Sequence, residues 1–389
     1  AGLAAAIESA RAGAQVLVID QNDRPGGQLF KQLHKFFGSK AHSAGVRGMD
    51  IGTRLLQECA DAGVEVWLSS AVIGVYDGNL VAVVRDDGSG QKLVKVCAGR
   101  ILLATGGMEN VLNFQGWTLP GVMGAGCAQT MINVNRTLPG KRVLMVGSGN
   151  VGLIVGYQLM QAGAELAGIV EAAPKIGGYG VHAAKLRRAG VPFYLSHTIV
   201  AAEGEREQVC RAMIGRVDDQ WKVIPGSELV LDVDTICIAA GLRPLCKLAR
   251  MMGLRHVYIP ALGGWMPEHD GTMRTSDPNV YVAGDLAGVE EANTAMDEGR
   301  LAGLAMAWSL GYLSEESFEA QKGEIRARLD ALRLGPFGQA RFEAKSGLME
   351  RAGCGAGVHT AHPLQSLRGS LPLWSDSCGH PHHQSPPID

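Results

Sequence analysis

Apolar and small positions in this chain follow a pattern that runs through twice. Gly2-Leu3-Ala4-Ala5-Ala6-Ile7 has helical spacing and leads through Ala12-Gly13-Ala14 to the extended run Val16-Leu17-Val18-Ile19, which ends on Asp20. The pattern returns at Gly152-Leu153-Ile154-Val155, which leads through Ala162-Gly163-Ala164 to Ile169-Val170 and Glu171. Ala62-Gly63-Val64 opens an extended stretch reaching Tyr76, and Ala189-Gly190-Val191 opens another reaching Ala202. Short alternating β segments broken by Gly and Asp follow in both. Arg100-Ile101-Leu102-Leu103-Ala104-Thr105-Gly106-Gly107 closes the first copy and Thr235-Ile236-Cys237-Ile238-Ala239-Ala240-Gly241 the second. Each copy therefore reads as a βαβ unit with an inserted β-meander.

The fold class that follows is α/β, with two Rossmann-like dinucleotide-binding domains of parallel sheets covered by helices in three layers, one inserted in the other. Residues 1–135 and 240–312 form the discontinuous outer domain, 136–239 the inner one, 313–352 a helical extension, and 353–389 a Gly-, Ser-, Pro- and His-rich disordered tail. The chain opens at Ala1 directly in a helical pattern, so a strand and the first two glycines of the first copy are expected to precede it, making this a fragment.

The length of 389 residues suits two domains, and 46% hydrophobic with 19% charged residues and 53 Gly suits a turn-rich globular protein. A net charge of −2 offers no field for a phosphate backbone, so nucleic acid is not an expected partner. No apolar run approaches the roughly 20 residues that span a bilayer, and the default address is cytoplasmic. The 8 cysteines lie without a close pair for a redox disulfide, and Cys237, inside an apolar run, reads as an inert buried thiol. The tail residues His359, His362, His380, His382, His383, Cys354 and Cys378 match no closed zinc site, so no metal is expected.

The strand Arg142-Val143-Leu144-Met145-Val146 runs into Gly147-Ser148-Gly149-Asn150-Val151-Gly152 and then a helix, which is the full dinucleotide fingerprint in its context. Gly147 permits the tight turn, Gly149 lets backbone approach a pyrophosphate, and Gly152 lets helix and strand pack closely. The helix N-terminus at Asn150 and Val151 favours the phosphate charge. Glu171, at the end of the next strand, can accept ribose hydroxyls and disfavours a 2′-phosphate, so NAD is preferred there, with another adenine nucleotide equally able to satisfy these groups. In the first copy Gly2 corresponds to the third glycine and Asp20 to the ribose acid.

With Gly2, Asp20, the Ala104-Thr105-Gly106 turn, the second fingerprint and Val280-Tyr281-Val282-Ala283-Gly284-Asp285 in view, residues 1–312 resemble the pyridine-nucleotide-disulfide-oxidoreductase superfamily. The resemblance implies FAD in the first domain. Asp285 would bond the ribityl chain, the following helix would aim its positive end at the flavin, and Gly241 and Gly284 would line the cofactor. Pro25-Gly26-Gly27-Gln28-Leu29, Pro120 to Ala125 and Gly288 to Met296 resemble one branch, the α subunits of hydrogen cyanide synthase, opine oxidase, and hetero-oligomeric proline and sarcosine dehydrogenases or oxidases. That branch implies a partner, a flavin-containing β subunit, with an amine or amino acid as substrate. Its members often carry an iron–sulfur module, which needs roughly four thiolates, and none is expected here. A self-sufficient NAD(P)H-dependent flavin reductase and a non-catalytic nucleotide-binding scaffold remain the alternatives, and no catalytic side chain is assigned. Lys31, His34, Lys35 and His42 read as a solvated basic face, and Glu290 and Glu291 as acids favouring a helix start.

Overall fold

A computed structural model describes residues 1–353, except 25, 37–38, 206–207 and 335–337. Helix α1 (Gly2–Arg11) leads to β1 (Leu17–Ile19), α2 (Gly48–Asp61) and β2 (Glu65–Trp67), with β1 and β2 paired in parallel. The antiparallel meander β3 (Ser70–Tyr76), β4 (Leu80–Asp86) and β5 (Gln91–Cys97) follows, then β6 (Ile101–Leu103). Strands β7 (Gly107–Glu109) and β8 (Val122–Gly124) and helix α3 (Ala125–Asn133) carry the chain onward.

The second copy comprises β9 (Arg142–Val146), α4 (Asn150–Gln161), β10 (Glu165–Glu171), α5 (Gly180–Arg188) and β11 (Phe193–Leu195). Its meander is β12 (His197–Glu205), β13 (Gln208–Arg216) and β14 (Leu229–Asp232), and β15 (Thr235–Ile238) closes it. The sheet is five-stranded and parallel throughout, in the order β11-β10-β9-β15-β8. β9 and β15 are central, and Val143, Leu144, Met145, Ile236 and Cys237 are fully buried between helices on one face and the meander on the other. The chain then returns through β16 (Leu242–Pro244), antiparallel to β7, helix α6 (Lys247–Met251), and the hairpin β17 (His256–Ile259) and β18 (Gly264–Pro267). It ends in β19 (Val280–Val282), parallel to β6, and helices α7 (Ala292–Ser309), α8 (Glu315–Arg333) and α9 (Gln339–Gly353).

The architecture is the duplicated dinucleotide-binding fold that the repeat predicts. Two details differ from the sequence reading. β8 and α3 precede residue 136 yet belong to the second sheet and its core, because β8 pairs with β15 while Ala125, Ala128 and Ile132 of α3 pack with Leu153 and Leu159 of α4. In the first copy the pairs β1·β2 and β6·β19 form separate sheets, and Leu17 to Ile19 are only half-buried. The expected extension is α8 and α9. Ser314 caps α8 by accepting from the Ser317 amide, with Glu315 and Glu316 favouring its positive end. Gly353 is the last residue of α9, and the rest of the expected tail, with its His and Cys residues, lies outside the described residues.

Helix α7 packs unusually close to α1, because Gly299 and Gly303 sit one turn apart on the contact face. A Cβ at Gly299 would run into the Ala1 carbonyl, and one at Gly303 into the Ala5 carbonyl. The Ser9 hydroxyl crosses the same interface to the Gly303 carbonyl at 2.9 Å. Gly303→Ala should therefore cost about 1–3 kcal/mol by overpacking. Gly323→Ala, where an added Cβ on α8 meets nothing within 4 Å, should gain about 0.5–1 kcal/mol. Urea unfolding of the two variants checks this; effects of the same sign would contradict the close α1–α7 contact.

Candidate functional site

The fingerprint glycines of the second copy each have a distinct local reason. Gly147 has φ of 109°, and a Cβ there would strike the Ala239 carbonyl. A Cβ at Gly152 would strike the Gly147 carbonyl, so the start of α4 lies directly on the turn. Around Gly149 the space is open, with no heavy atom within 4 Å of an added Cβ. Gly149 is also the N-cap of α4 and supplies no side-chain cap, leaving the first-turn amides of Asn150, Val151 and Gly152 without intrahelical partners. Open space beside unpaired amides at a helix N-terminus fits a pyrophosphate.

Glu171 stands beside this turn, but its carboxylate is already engaged. Oε2 accepts from the Ser148 amide at 2.9 Å and the Ser148 hydroxyl at 2.6 Å, and Oε1 accepts from the Ala173 amide at 2.9 Å. Ser148, fully buried, also takes the Gly177 amide on its Oγ at 3.0 Å and the Gly178 amide on its carbonyl at 2.9 Å. The Asn150 Oδ1 accepts from the Tyr179 amide at 2.8 Å. Residues 177–179 thus lie against the turn, a neighbour the sequence reading misses; the Gly177-Gly178 pair is the signal it overlooks.

A second cluster forms where the chain crosses between the two copies. Thr105 Oγ1 donates to the Leu245 carbonyl at 3.0 Å, and the Leu245 amide to the Gly106 carbonyl at 2.9 Å. The Asn110 amide donates to the Gly241 carbonyl at 3.0 Å. Gly106, Gly241 and Gly284 all have positive φ, of 75°, 91° and 71°. Gly106 faces open space, while a Cβ on Gly107 would lie 3.5 Å from Asp285 Oδ2. Gly2 adjoins the same turn, where an added Cβ would make an ordinary 3.5 Å contact with Ala104. Thr105, Gly106, Gly284, Asp285 and Gly2 are therefore neighbours, while Gly241 stands at the other end of the β7–β16 pair, opposite Asn110. Open space at Gly106, one residue from the glycine that touches a half-buried carboxylate, fits a hydroxyl-bearing chain such as the ribityl of FAD.

Asp20 follows β1, and Gly26-Gly27-Gln28 lie against α2. Asp20, at the end of β1, accepts from the Asn22 amide and side chain at 2.9 and 2.8 Å. Gly26 has φ of 95°, and a Cβ there would come 2.9 Å from the Gly52 Cα of α2. Gln28 follows in a short 3-10 turn, Gly27–Lys31.

The basic stretch is not a solvated face. Of its four residues only Lys35 is exposed. His42 is buried and bonds Asp297 through Nε2 at 2.8 Å, Lys31 reaches the Gly126 carbonyl at 3.3 Å, and the buried Nδ1 of His34 has no partner among the described residues. Glu290 also departs from the helix-start reading. Glu291 is the N-cap of α7, whereas Glu290 is buried against Arg333 at 2.9 Å.

Behind Asp285 lies a set of buried charges. Asp297 accepts from His42, from Arg300 at 2.7 Å and from Arg328 at 3.1 Å. Burial works to raise its pKa, but these donors win and hold it well below the carboxylate range. Glu298 accepts from Lys345 at 2.7 Å and Arg333 at 2.9 Å on Oε1, and from the Gly284 amide at 3.1 Å on Oε2. Burial, reinforced by Glu298, pushes Asp285 up to about 6. Burial, with Lys345 beside it, pushes His269 down to about 3. Apart from Arg300, three residues on from Asp297, none of these partners is visible in local sequence; the other available signal is an acid pair inside a helix made largely of small and apolar residues.

The thiols offer no disulfide chemistry among the described residues, where every cysteine is free. Burial pushes Cys59 and Cys246 up to about 11 and Cys237 up to about 12, so all three stay protonated at neutral pH. Among the described residues, no group of His, Cys, Asp and Glu could hold a metal ion, and no helix is long and apolar enough to cross a membrane.

The profile of a family described as pyridine nucleotide-disulphide oxidoreductase matches residues 1–299. The hydrogen cyanide synthase subunit HcnB of Pseudomonas aeruginosa is 29% identical over 368 residues, covering 88% of this chain and 76% of that protein. An opine oxidase subunit of Agrobacterium tumefaciens is 27% identical over 344 residues, covering 82% and 65%. In fold, the chain is similar to L-proline dehydrogenase from P. horikoshii, with a TM-score of 0.61 and 22% identity over 85% of this chain and 56% of that one. It is also similar to T. acidophilum thioredoxin reductase, with a TM-score of 0.63 and 20% identity over 79% and 95%.

The opposite pKa shifts of Asp285 and His269 set a stability profile. Below pH 6.5 the unfolded chain protonates His269 while the folded protein does not, so folding weakens on acidification towards about 3. Asp285 takes up its proton in the folded state first, so folding strengthens as pH falls from about 6 towards 3.8. Between pH 6 and 4 the two slopes, each about 1.4 kcal/mol per pH unit, oppose one another. Asp285→Asn should remove one, making stability fall on acidification by about that slope relative to the unsubstituted protein. Denaturant titrations at several pH values check it, and parallel curves for both proteins would contradict the raised Asp285 pKa.

Proposed function

The chain belongs to the pyridine nucleotide-disulphide oxidoreductase family, and from that premise we propose that it is the FAD-holding subunit of an enzyme that oxidises an amine or amino acid. The family binds FAD and NAD(P), and the chain is accordingly an FAD-dependent oxidoreductase related to subunits of hydrogen cyanide synthase and opine oxidase. The observation that carries this proposal is the gap at Gly106, next to Gly107 and Asp285, combined with the lack of a close cysteine pair among the described residues.

When bound, FAD supplies the acceptor for a hydride or for electrons. The protein's share is position and electrostatics. Asp285 would accept from a hydroxyl of the cofactor, and Gly106 would admit it without steric cost. Gly2 and Gly284 keep α1 and the Asp285 turn close to that gap, while Asp20 and Gly26-Gly27-Gln28 serve its adenosine end. The outer domain, residues 1–135 and 240–312 less the β8–α3 segment, holds this site. The inner domain holds an adenine nucleotide at Gly147, Gly149, Asn150, Val151 and Gly152, with NAD favoured over NADP because Glu171 keeps an acid at the turn. A flavin-containing partner subunit performs the first oxidation, in keeping with the subunit names of the relatives.

Gly149→Val should leave folding stability within about 1 kcal/mol, since nothing occupies the space of the new side chain, yet weaken NAD and ATP binding at least about tenfold. Calorimetric titration reads it, and unchanged affinity for both ligands would show that the turn is not a ligand site. The overall reading is tested by anaerobic reduction. Visible absorbance of the FAD-loaded protein should bleach with an amino-acid donor only when the partner subunit is present. Bleaching by NADH with no partner would make the chain a self-sufficient flavin reductase instead, and tight nucleotide binding with no redox change under either condition would make it a scaffold.

A further inference from the structure

We infer that Lys345 and Arg333, on the C-terminal helix pair, are positioning residues for the Asp285 turn, which makes α8 and α9 part of the cofactor site; the inference rests on the flavin reading proposed above. Lys345 is almost fully buried, and besides a 3.5 Å contact with His269 Nε2 its ammonium is held by one acid and one backbone carbonyl. Nζ donates to Glu298 Oε1 at 2.7 Å and to the Ala287 carbonyl at 2.8 Å. Its stem lies against Gly288, where an added Cβ would come 3.3 Å from Lys345 Cε. Glu298, so fixed, presents Oε2 to the Gly284 amide at 3.1 Å. The entry to the turn is thus held through one carboxylate.

The exit is held through another. Arg333 grips Glu290 with Nε at 3.1 Å and Nη2 at 2.9 Å, and its Nη2 also reaches Glu298 at 2.9 Å. The Glu290 amide in turn donates to the Asp285 carboxylate. Both ends of the segment 284–290 therefore depend on two cations that belong to helices outside the repeat. Bare, Glu290 and Glu298 would place two buried negative charges beside Asp285; with Lys345 and Arg333 in place they are neutralised and can act as fixed acceptors.

The test is Lys345→Met, read by hydrogen exchange of the 284–290 amides without cofactor and by FAD titration through flavin fluorescence. Exchange in that segment should quicken at least about tenfold while the amides of β9 and β15 keep their rates, and the FAD dissociation constant should rise about tenfold or more. The affinity loss should vanish in an Asp285→Asn background, since Lys345 acts through that carboxylate. Lys345→Gln, which keeps an amide donor, should show the same changes to a smaller degree, and it stands in if Lys345→Met does not fold. Unchanged exchange at 284–290 in a folded variant overturns the inference even where FAD binds, as does an affinity loss that persists undiminished without Asp285. An unsubstituted protein that leaves FAD unbound even with the expected upstream strand and glycines restored defeats the parent reading and the cofactor role of Lys345 with it, whatever the exchange pattern.

Discussion

Two adjacent carboxylates, Asp297 and Glu298, lie buried in helix α7, and the loop before α2, helix α8 and helix α9 all converge on them. An unpaired charge in such a place is costly, and removing one member of a buried pair typically costs about 3–5 kcal/mol. Asp297 draws His42 from the loop before α2 and Arg328 from α8, while Glu298 draws Arg333 from α8 and Lys345 from α9. A shift of α7 by one residue would exchange these partners. The acid pair therefore sets which segments meet and in which register, beyond what apolar packing alone would specify.

That specification reaches the candidate site because the same helix is fitted to α1 through glycine. With backbone against backbone at Gly299 and Gly303, α7 has little freedom to move relative to α1, and Gly284 hangs from Glu298 by its amide. The Asp285 turn is consequently held from three sides, by α1, by α7 and by the C-terminal helices. A carboxylate that meets a cofactor hydroxyl benefits from being held before the ligand arrives, since no ordering then opposes binding. The second turn achieves rigidity differently, through Ser148 and Glu171, which knit the glycine-rich loop to residues 177–179.

The parts of the fold legible in the sequence are those with local signatures. The repeated Ala-Gly-Ala and Ala-Gly-Val turns, the paired apolar strands and the second fingerprint place both copies, because glycine conformation and strand alternation are properties of a few consecutive residues. The repeat and the resemblance point to Thr105, Gly106, Gly284 and Asp285, which the fold brings near one another, but also to Gly241, which it does not. The partners of these residues are not legible. His42 and Asp297 stand 255 positions apart, and Lys345 and Glu298 come from different helices, so neither periodicity nor composition links them. The same blindness makes Lys31, His34 and His42 look like a solvated face, since charge alone does not reveal a buried acid waiting across the fold. It also leaves β8 on the wrong side of the domain division, because a three-residue strand carries too little pattern to choose its sheet.

The proposal that flavin sits on the turn locked by these buried charges is open to a crystal structure of the protein equilibrated with FAD. The ribityl hydroxyls should then lie within hydrogen-bond distance of the Asp285 carboxylate, with Lys345 still on Glu298 and Arg333 still on Glu290. Flavin lodged instead against the Gly147–Gly152 turn, with Asp285 bare, would contradict it.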